Sequence, residues 1–177
     1  KVLNLSHFLN RLEQICLRSA IYLGYTIRVK QSQIGSFRQT FGVSNKPENR
    51  LIGLAEVSLE PTNGHVPYVI PIPFSAKKVL FFGAEFRPYI SNLLIDERER
   101  RQGLATILMD QCEKQAENWG FGCVYLHANI DHRPSLRLYE KRGYEVVGDD
   151  PEWFDFFNWP RLRYMRKNIF NCGTVKK

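Results

Sequence analysis

The protein has 177 residues, of which 44% are hydrophobic and 24% are charged. This length fits one ordinary domain and leaves no room for two full ones, and the apolar content excludes a wholly disordered chain. Lys and Arg outnumber Asp and Glu by 25 to 18, so the net charge of +7 attracts anions, whether a phosphorylated small molecule, nucleic acid or an acidic membrane face.

The first fifty residues are predicted to form a helical N-terminal part of a single domain over 1–177. Apolar residues recur at helical spacing over residues 3–22, and Ser6 is a suitable N-cap for this helix. The mixed, polar stretch up to residue 50 predicts a loop with one short helix. Alternating residues over 51–59 then predict the first strand, which Pro61 and Gly64 end.

The second half of the chain predicts a mixed α/β sheet. Three prolines in 66–86 indicate an irregular apolar excursion, which either covers a substrate site or serves only the core. Strands are predicted over 89–95, 123–128, 144–148 and 161–167, and helices over 102–119 and 135–142. This order places the sheet core in 51–167 and a tail in 168–177.

The cysteines and the apolar runs exclude several classes of protein. No CxxC pair or nearby histidine set suggests a zinc site or a disulfide framework, so we expect reduced thiols in an intracellular compartment. The apolar runs fall short of the roughly 20 residues that a membrane-spanning helix needs, which indicates a soluble protein. The sequence begins with Lys1 and not with Met, so we expect a trimmed chain, a processed mature form or a part of something longer.

Residues 95–106 have the pattern of an anion cradle. An apolar strand leads through a charged turn into a helix that starts with small residues, and Gly103 leaves space for close approach to the backbone. The N–H groups of a first helical turn bind phosphate well, and Arg98, Arg100 and Arg101 add positive charge. A tight turn with a solvated run of arginines is the alternative. The segment lacks the Walker lysine and the GxGxxG pattern, which argues against nucleotide hydrolysis and nicotinamide chemistry.

Two motifs in this order resemble the GNAT superfamily of acetyl-CoA-dependent N-acetyltransferases. Arg100-x-x-Gly103-x-Ala105 is similar to the family's [QR]xxGx[GA] element, and Leu138-Tyr139 followed by Gly143-Tyr144 is similar to its LYxxxGY signature. The resemblance covers about residues 51–167 and is closest to plastid and cyanobacterial members. It implies the GNAT fold, a central twisted mixed sheet flanked by helices, and acetyl-CoA as co-substrate without a metal.

The resemblance also implies which residues bind acetyl-CoA. The backbones of Leu93, Leu94 and Ile95 would bind the pantetheine arm, and the pyrophosphate would lie on Arg101, Gln102, Gly103, Leu104, Ala105 and Thr106. His132 occupies the position of a family asparagine that contacts pantetheine. This departure, with Pro134 just after it, puts that contact in doubt.

For catalysis, the resemblance implies that Tyr139 protonates the departing thiolate. A tyrosine hydroxyl is suited to this step because it donates while neutral at pH 7. His127 lies where some relatives carry a glutamate base, and an imidazole can accept the amine proton near neutral pH. Glu56, Glu60, Asp131 and a chain of waters remain alternatives.

The resulting hypothesis is an enzyme that acetylates a primary amine, a protein lysine or N-terminal amine, by direct attack in a ternary complex. The alternatives are a serotonin-type arylalkylamine acetyltransferase and a non-catalytic acetyl-CoA-binding subunit that docks into a larger complex through an aromatic patch, residues 153–159. We expect that patch to close the core instead. No nucleic-acid motif is found, and the family likeness favours the plastid stroma over the cytoplasm of a photosynthetic bacterium.

Overall fold

The computed structural model describes residues 25–31, 37–45, 48–62, 74–157 and 160–169. The helix expected over 3–22 and nearly all of the expected tail lie outside these ranges. The described strands are β1 (Tyr25–Gln31), β2 (Arg38–Asn45), β3 (Leu51–Thr62), β4 (Glu85–Ile95), β5 (Cys123–Asn129), β6 (Glu145–Asp149) and β7 (Leu162–Asn168). They form one sheet in the order β1-β2-β3-β4-β5-β7-β6. All pairs are antiparallel except β4 and β5, which run parallel.

The structure corrects the prediction for residues 25–50. Instead of a loop with a short helix, this stretch contains β1 and β2, which form an antiparallel pair from Tyr25 opposite Asn45 to Gln31 opposite Gln39. Phe41 and Val43 of β2 are buried in the core. The described part of residues 25–50 therefore extends the sheet, whereas the helix expected over 3–22 stays a prediction.

Three helices accompany the sheet in the described part: α1 (Phe74–Leu80), α2 (Leu104–Asn118) and α3 (Arg133–Lys141). The short α1 lies within the segment that was expected to be irregular. The other elements match the predicted ones, with shifts of a few residues at their ends. The mixed α/β sheet is therefore confirmed.

The core lies between the sheet and one face of α2. The buried side chains of this helix recur at helical spacing and include Leu104, Leu108, Met109, Cys112 and Ala116. They pack against alternate residues of the central strands, namely Ala55, Val57, Ile90, Val124, Leu126 and Met165. The other face of the same strands carries polar side chains.

The parallel strands β4 and β5 pair over a short stretch and then separate. Their paired residues are Tyr89 with Tyr125 and Ile90 with Leu126. Beyond that point β4 follows β3 with a bulge, since Leu54 lies opposite Leu94 whereas Glu56 lies opposite Ser91. The extra residue gives Asn92 a positive φ of 54°. A bulge bends its strand, and here it accompanies a cleft between β4 and β5.

The aromatic patch of residues 153–159 does not close the core at the positions whose side chains are described. Trp153 is 56% exposed and Phe156 is 87% exposed, on a 3-10 helix over Glu152–Phe157. The core-closing expectation is therefore wrong for these two side chains. In the described ranges, no helix is both long enough and apolar enough to cross a membrane.

Candidate functional site

The separation of β4 from β5 opens a cleft of about 270 Å³. Strand β4 contributes one wall, β5 the other, and α3 covers one side. The residues that line it are Ile90, Ser91, Asn92, Leu93, Leu94, His127, Ala128, Asn129, Ser135 and Tyr139. Beyond the point where β4 and β5 separate, the backbone N–H and C=O groups of β4 that face β5 have no strand partner among the described strands. They are available to a ligand that carries amide groups.

Tyr139 lies on the buried face of α3 and reaches the cleft. It is 7% exposed, and its ring packs on that of Tyr144 with centroids 5.8 Å apart. Within the described residues its hydroxyl makes no hydrogen bond, so the proton is available to a ligand in the cleft. Burial raises the pKa of Tyr139 to about 12, which keeps the phenol protonated at neutral pH.

His127 lies on the β5 wall of the cleft, where two tyrosines fix its ring. The hydroxyl of Tyr89 on β4 contacts its Nδ1. The ring of Tyr164 on β7 meets the imidazole edge-on, with centroids 4.2 Å apart, and the Tyr164 hydroxyl donates to Asp150. Burial lowers the pKa of His127 to about 4, although the negative charge of Asp150 opposes this shift. His127 is therefore a neutral imidazole at physiological pH.

The other predicted candidates for the base are held elsewhere. Glu60 is buried, accepts a hydrogen bond from Ser58 and pairs with the buried Lys77. Glu56 pairs with Arg38 at 2.7 Å and accepts a hydrogen bond from Asn92 at 2.9 Å. Asp131 is exposed in the turn before α3. None of the three acidic side chains is among the residues that line the cleft.

The loop after β4 presents backbone N–H groups and positive charge at the start of α2. Both Arg101 and Gly103 have left-handed backbone angles, with φ of 67° and 80°, and Gly103 is the N-cap residue of the helix. Successive N–H groups in such a conformation form an anion-binding concavity, and no acidic side chain lies in the first helical turn. In the described part, Arg98 and Arg101 form no ion pair, whereas Arg100 pairs with Glu97 at 3.4 Å.

The remaining predicted cofactor-binding residues have different surroundings. Leu93 and Leu94 line the cleft, whereas Ile95 does not. His132 is exposed just before α3 and lies outside the lining, with its Nδ1 bonded to Ser135 Oγ at 2.6 Å. The sequence did not predict a role for the polar lining residues Ser91, Asn92, Asn129 and Ser135, or for Tyr89 and Tyr164. One signal was available: Asn129 lies two residues after His127 on β5 and therefore on the same face of the strand.

A partly buried ionic network joins the C-terminal end of α3 to α2. Glu113 of α2 accepts hydrogen bonds from Arg142 at 2.9 Å, Tyr144 at 3.0 Å and Lys167 at 2.6 Å. Arg142 also donates to Asp110 at 2.5 Å. Because Arg142 follows α3 directly, this network fixes the helix of Tyr139 relative to the helix that begins at the anion-binding loop.

Comparison with known protein families gives a match to the acetyltransferase (GNAT) family over residues 17–144. The chain is 27% identical over 133 residues to GCN5-related N-acetyltransferase 10, chloroplastic, of Arabidopsis thaliana, covering 75% of this chain and 47% of that protein. It is 31% identical over 74 residues to N-alpha-acetyltransferase daf-31 of Caenorhabditis elegans, covering 41% of each. The chain thus spans less than half the length of these curated relatives.

Solved structures share the fold. A GNAT family acetyltransferase from Elizabethkingia anophelis with acetyl-CoA bound superposes with a TM-score of 0.56 at 12% identity, over 82% of this chain and 98% of that one. At this identity the likeness concerns the fold alone.

Proposed function

Because the chain belongs to the GNAT acetyltransferase family, we propose that it transfers the acetyl group of acetyl-CoA to a primary amine, with Tyr139 as general acid and His127 as general base. The observation that carries this proposal is the cleft between β4 and β5. It has a neutral imidazole on the β5 wall and a neutral phenol on α3, which covers one side. Strand β4 leads from this cleft directly into the loop that precedes α2.

The residues present fit acetyl-CoA as co-substrate. The left-handed loop at Arg101 and Gly103 offers N–H groups to a pyrophosphate, and the side chains of Arg98 and Arg101 supply charge. The backbone of Leu93 and Leu94 suits a pantetheine arm, because its amides can continue the hydrogen bonding that β5 no longer provides. Asn129 and Ser135 add polar groups where His132 was expected. We also keep the backbone of Ile95 in the proposed binding site for the pantetheine arm.

The reaction needs two proton transfers on opposite sides of the reacting carbon. As the amine nitrogen bonds to the thioester carbon, the carbonyl electron pair moves to oxygen, and backbone N–H groups of β4 stabilise the negative charge. His127 accepts the proton that the nitrogen loses. The carbon–sulfur bond then breaks, and Tyr139 donates its proton to the sulfur. Proton exchange with solvent restores both side chains, so the net products are the acetylated amine and the free thiol.

For the acceptor we propose a protein amine, an N-terminal α-amine or a lysine side chain. The N-alpha-acetyltransferase among the relatives supports the first of these. A small arylalkylamine of the serotonin type is the alternative. Because the first relative is described as chloroplastic, we propose the plastid as the compartment, with the stroma as the site of action.

A second candidate function, a non-catalytic acetyl-CoA-binding subunit, is favoured by one observation. Trp153 and Phe156 expose large apolar surfaces, which are typical of protein contacts. Both candidates bind acetyl-CoA, so only turnover separates them.

The test measures thiol release from acetyl-CoA with three acceptor sets: peptides with free N-termini, N-terminally blocked peptides with one lysine, and arylalkylamines. Turnover with one peptide set supports the proposal and identifies the amine. Turnover with arylalkylamines alone supports the alternative acceptor. Binding of acetyl-CoA by calorimetry without turnover in any set supports the subunit function.

A further inference from the structure

On the polar face of the central strands, Tyr89 and Tyr164 contact His127, which lines the cleft. Glu60 on β3, Tyr89 on β4 and His127 on β5 occupy adjacent strands, and Tyr164 on β7 follows. The Tyr89 hydroxyl contacts Nδ1 of His127, so this ring nitrogen is not available to a substrate. Of the two ring nitrogens, Nε2 alone remains to take up a proton from the cleft.

A neutral imidazole carries one N–H, and its location decides what His127 can do. With the proton on Nε2, the side chain would be a donor toward the cleft and could not act as a base there. With the proton on Nδ1, that N–H donates to the Tyr89 oxygen and leaves a lone pair on Nε2. The contact with Tyr89 therefore selects between an active and an inactive form of the same residue.

The surroundings of Tyr89 favour the active form. Burial raises the pKa of its hydroxyl well above the usual range, and the negative charge of Glu60 adds to this shift, so the phenol stays protonated. Glu60 is held in place by Ser58 and by the buried Lys77. A Tyr89 O–H directed toward this negative charge leaves the oxygen lone pairs to accept a hydrogen bond from Nδ1.

Resting on the function proposed above, we propose that Tyr89 is a positioning residue that holds His127 in the tautomer protonated at Nδ1, leaving Nε2 free to accept the amine proton. Tyr164 fixes the plane of the ring by its edge-on contact. Asp150, which accepts the Tyr164 hydrogen bond, favours the imidazolium that forms after proton uptake. From α3, Tyr139 faces the same cleft, and its neutral hydroxyl leaves this charge balance unchanged.

The test observes the tautomer directly in protein labelled with ¹⁵N at histidine, at pH 7 and without substrate, with His127→Gln to assign the signal. We expect the Nδ1–H form in the wild-type protein and a shift toward the Nε2–H form in Tyr89→Phe. Tyr125→Phe is the matched control, because Tyr125 lies on the same face of β5 but its hydroxyl is outside the cleft lining. It should leave the His127 signal unchanged.

Kinetics then connect the tautomer to catalysis. We expect Tyr89→Phe to lower kcat/KM by at least tenfold, which is a part of the roughly 10²- to 10⁴-fold contribution of a general base. In the His127→Gln background, the same substitution should have no further effect on kcat/KM. An Nε2–H form in the wild-type protein, or an unchanged tautomer in Tyr89→Phe, would overturn the proposal. Absence of turnover in the wild-type protein overturns only the function on which it rests, because the spectroscopic result needs no substrate.

Discussion

Arg142, three residues after Tyr139 in the chain, donates a 2.9 Å hydrogen bond to Glu113 on the neighbouring helix α2. Both side chains are nearly buried, at 11% and 9% exposed. The pair therefore joins the helix that carries the proposed acid to the helix that begins at the anion-binding loop. Three hydrogen-bond donors converge on this one carboxylate, so its loss should affect more than a single contact.

We predict that Glu113→Gln lowers the free energy of unfolding by about 3 kcal/mol, because it leaves buried cations without their counter-charge. Urea denaturation measures the change. Glu145→Gln is the control, since Glu145 is 74% exposed and lies 3.8 Å from Arg166. An exposed pair of this kind contributes less than about 1 kcal/mol. Equal losses in the two variants would contradict the role given to the buried network.

The left-handed turn at Gly103 gives a prediction that separates folding from binding. Gly103→Ala should lower the free energy of unfolding by about 1–2 kcal/mol, the cost of a left-handed conformation with a Cβ. It should also raise KM for acetyl-CoA, because a shifted turn misplaces the N–H groups. Gly120→Ala is a matched control: Gly120 has φ of 84°, and an added Cβ meets no atom within 4 Å at either position. It should have the same effect on stability and none on KM, as urea denaturation and steady-state kinetics would reveal.

The lowered pKa of His127 predicts a specific pH dependence of stability. The folded protein titrates this residue at about 4 against 6.5 for the ordinary side chain, so the unfolded chain binds more protons between these values. The stabilising contribution is present above pH 6.5 and is lost as the pH falls toward 4. The difference between the urea midpoints of the wild type and His127→Gln should therefore shrink as the pH falls from 6.5 toward 4. A constant difference between them from pH 7 to pH 4.5 would contradict a neutral, desolvated imidazole.

The motifs around Gly103 and Tyr139 could be predicted from the sequence because each is local. A glycine at a strand-to-helix turn and a tyrosine on one helical face are fixed by their neighbours in the chain, and the structure has both elements where they were expected. Strand β2 was missed because its apolar signal is short. Phe41 and Val43 alternate with Thr40, Gly42 and Ser44, and Ser44 is buried despite its polarity.

The contact of Tyr89 with His127 could not be predicted in this way. The two residues are 38 positions apart, and they meet only because the parallel register sets Tyr89 beside Tyr125. A shift of one residue would turn the side chain to the other face of the sheet. The lining by Asn129 and Ser135 instead of His132 likewise depends on where β5 ends and α3 begins.

We propose that Tyr139 donates a proton to the leaving thiolate, and the single-turnover and steady-state rates of Tyr139→Phe test this step most directly. With the acceptor amine found in the panel and saturating acetyl-CoA, kcat should fall by about 10²-fold, while KM for acetyl-CoA and the urea midpoint stay close to those of the wild type. Tyr125→Phe, which removes a hydroxyl outside the cleft lining, should retain wild-type kcat. A Tyr139→Phe enzyme with wild-type kcat would contradict the account.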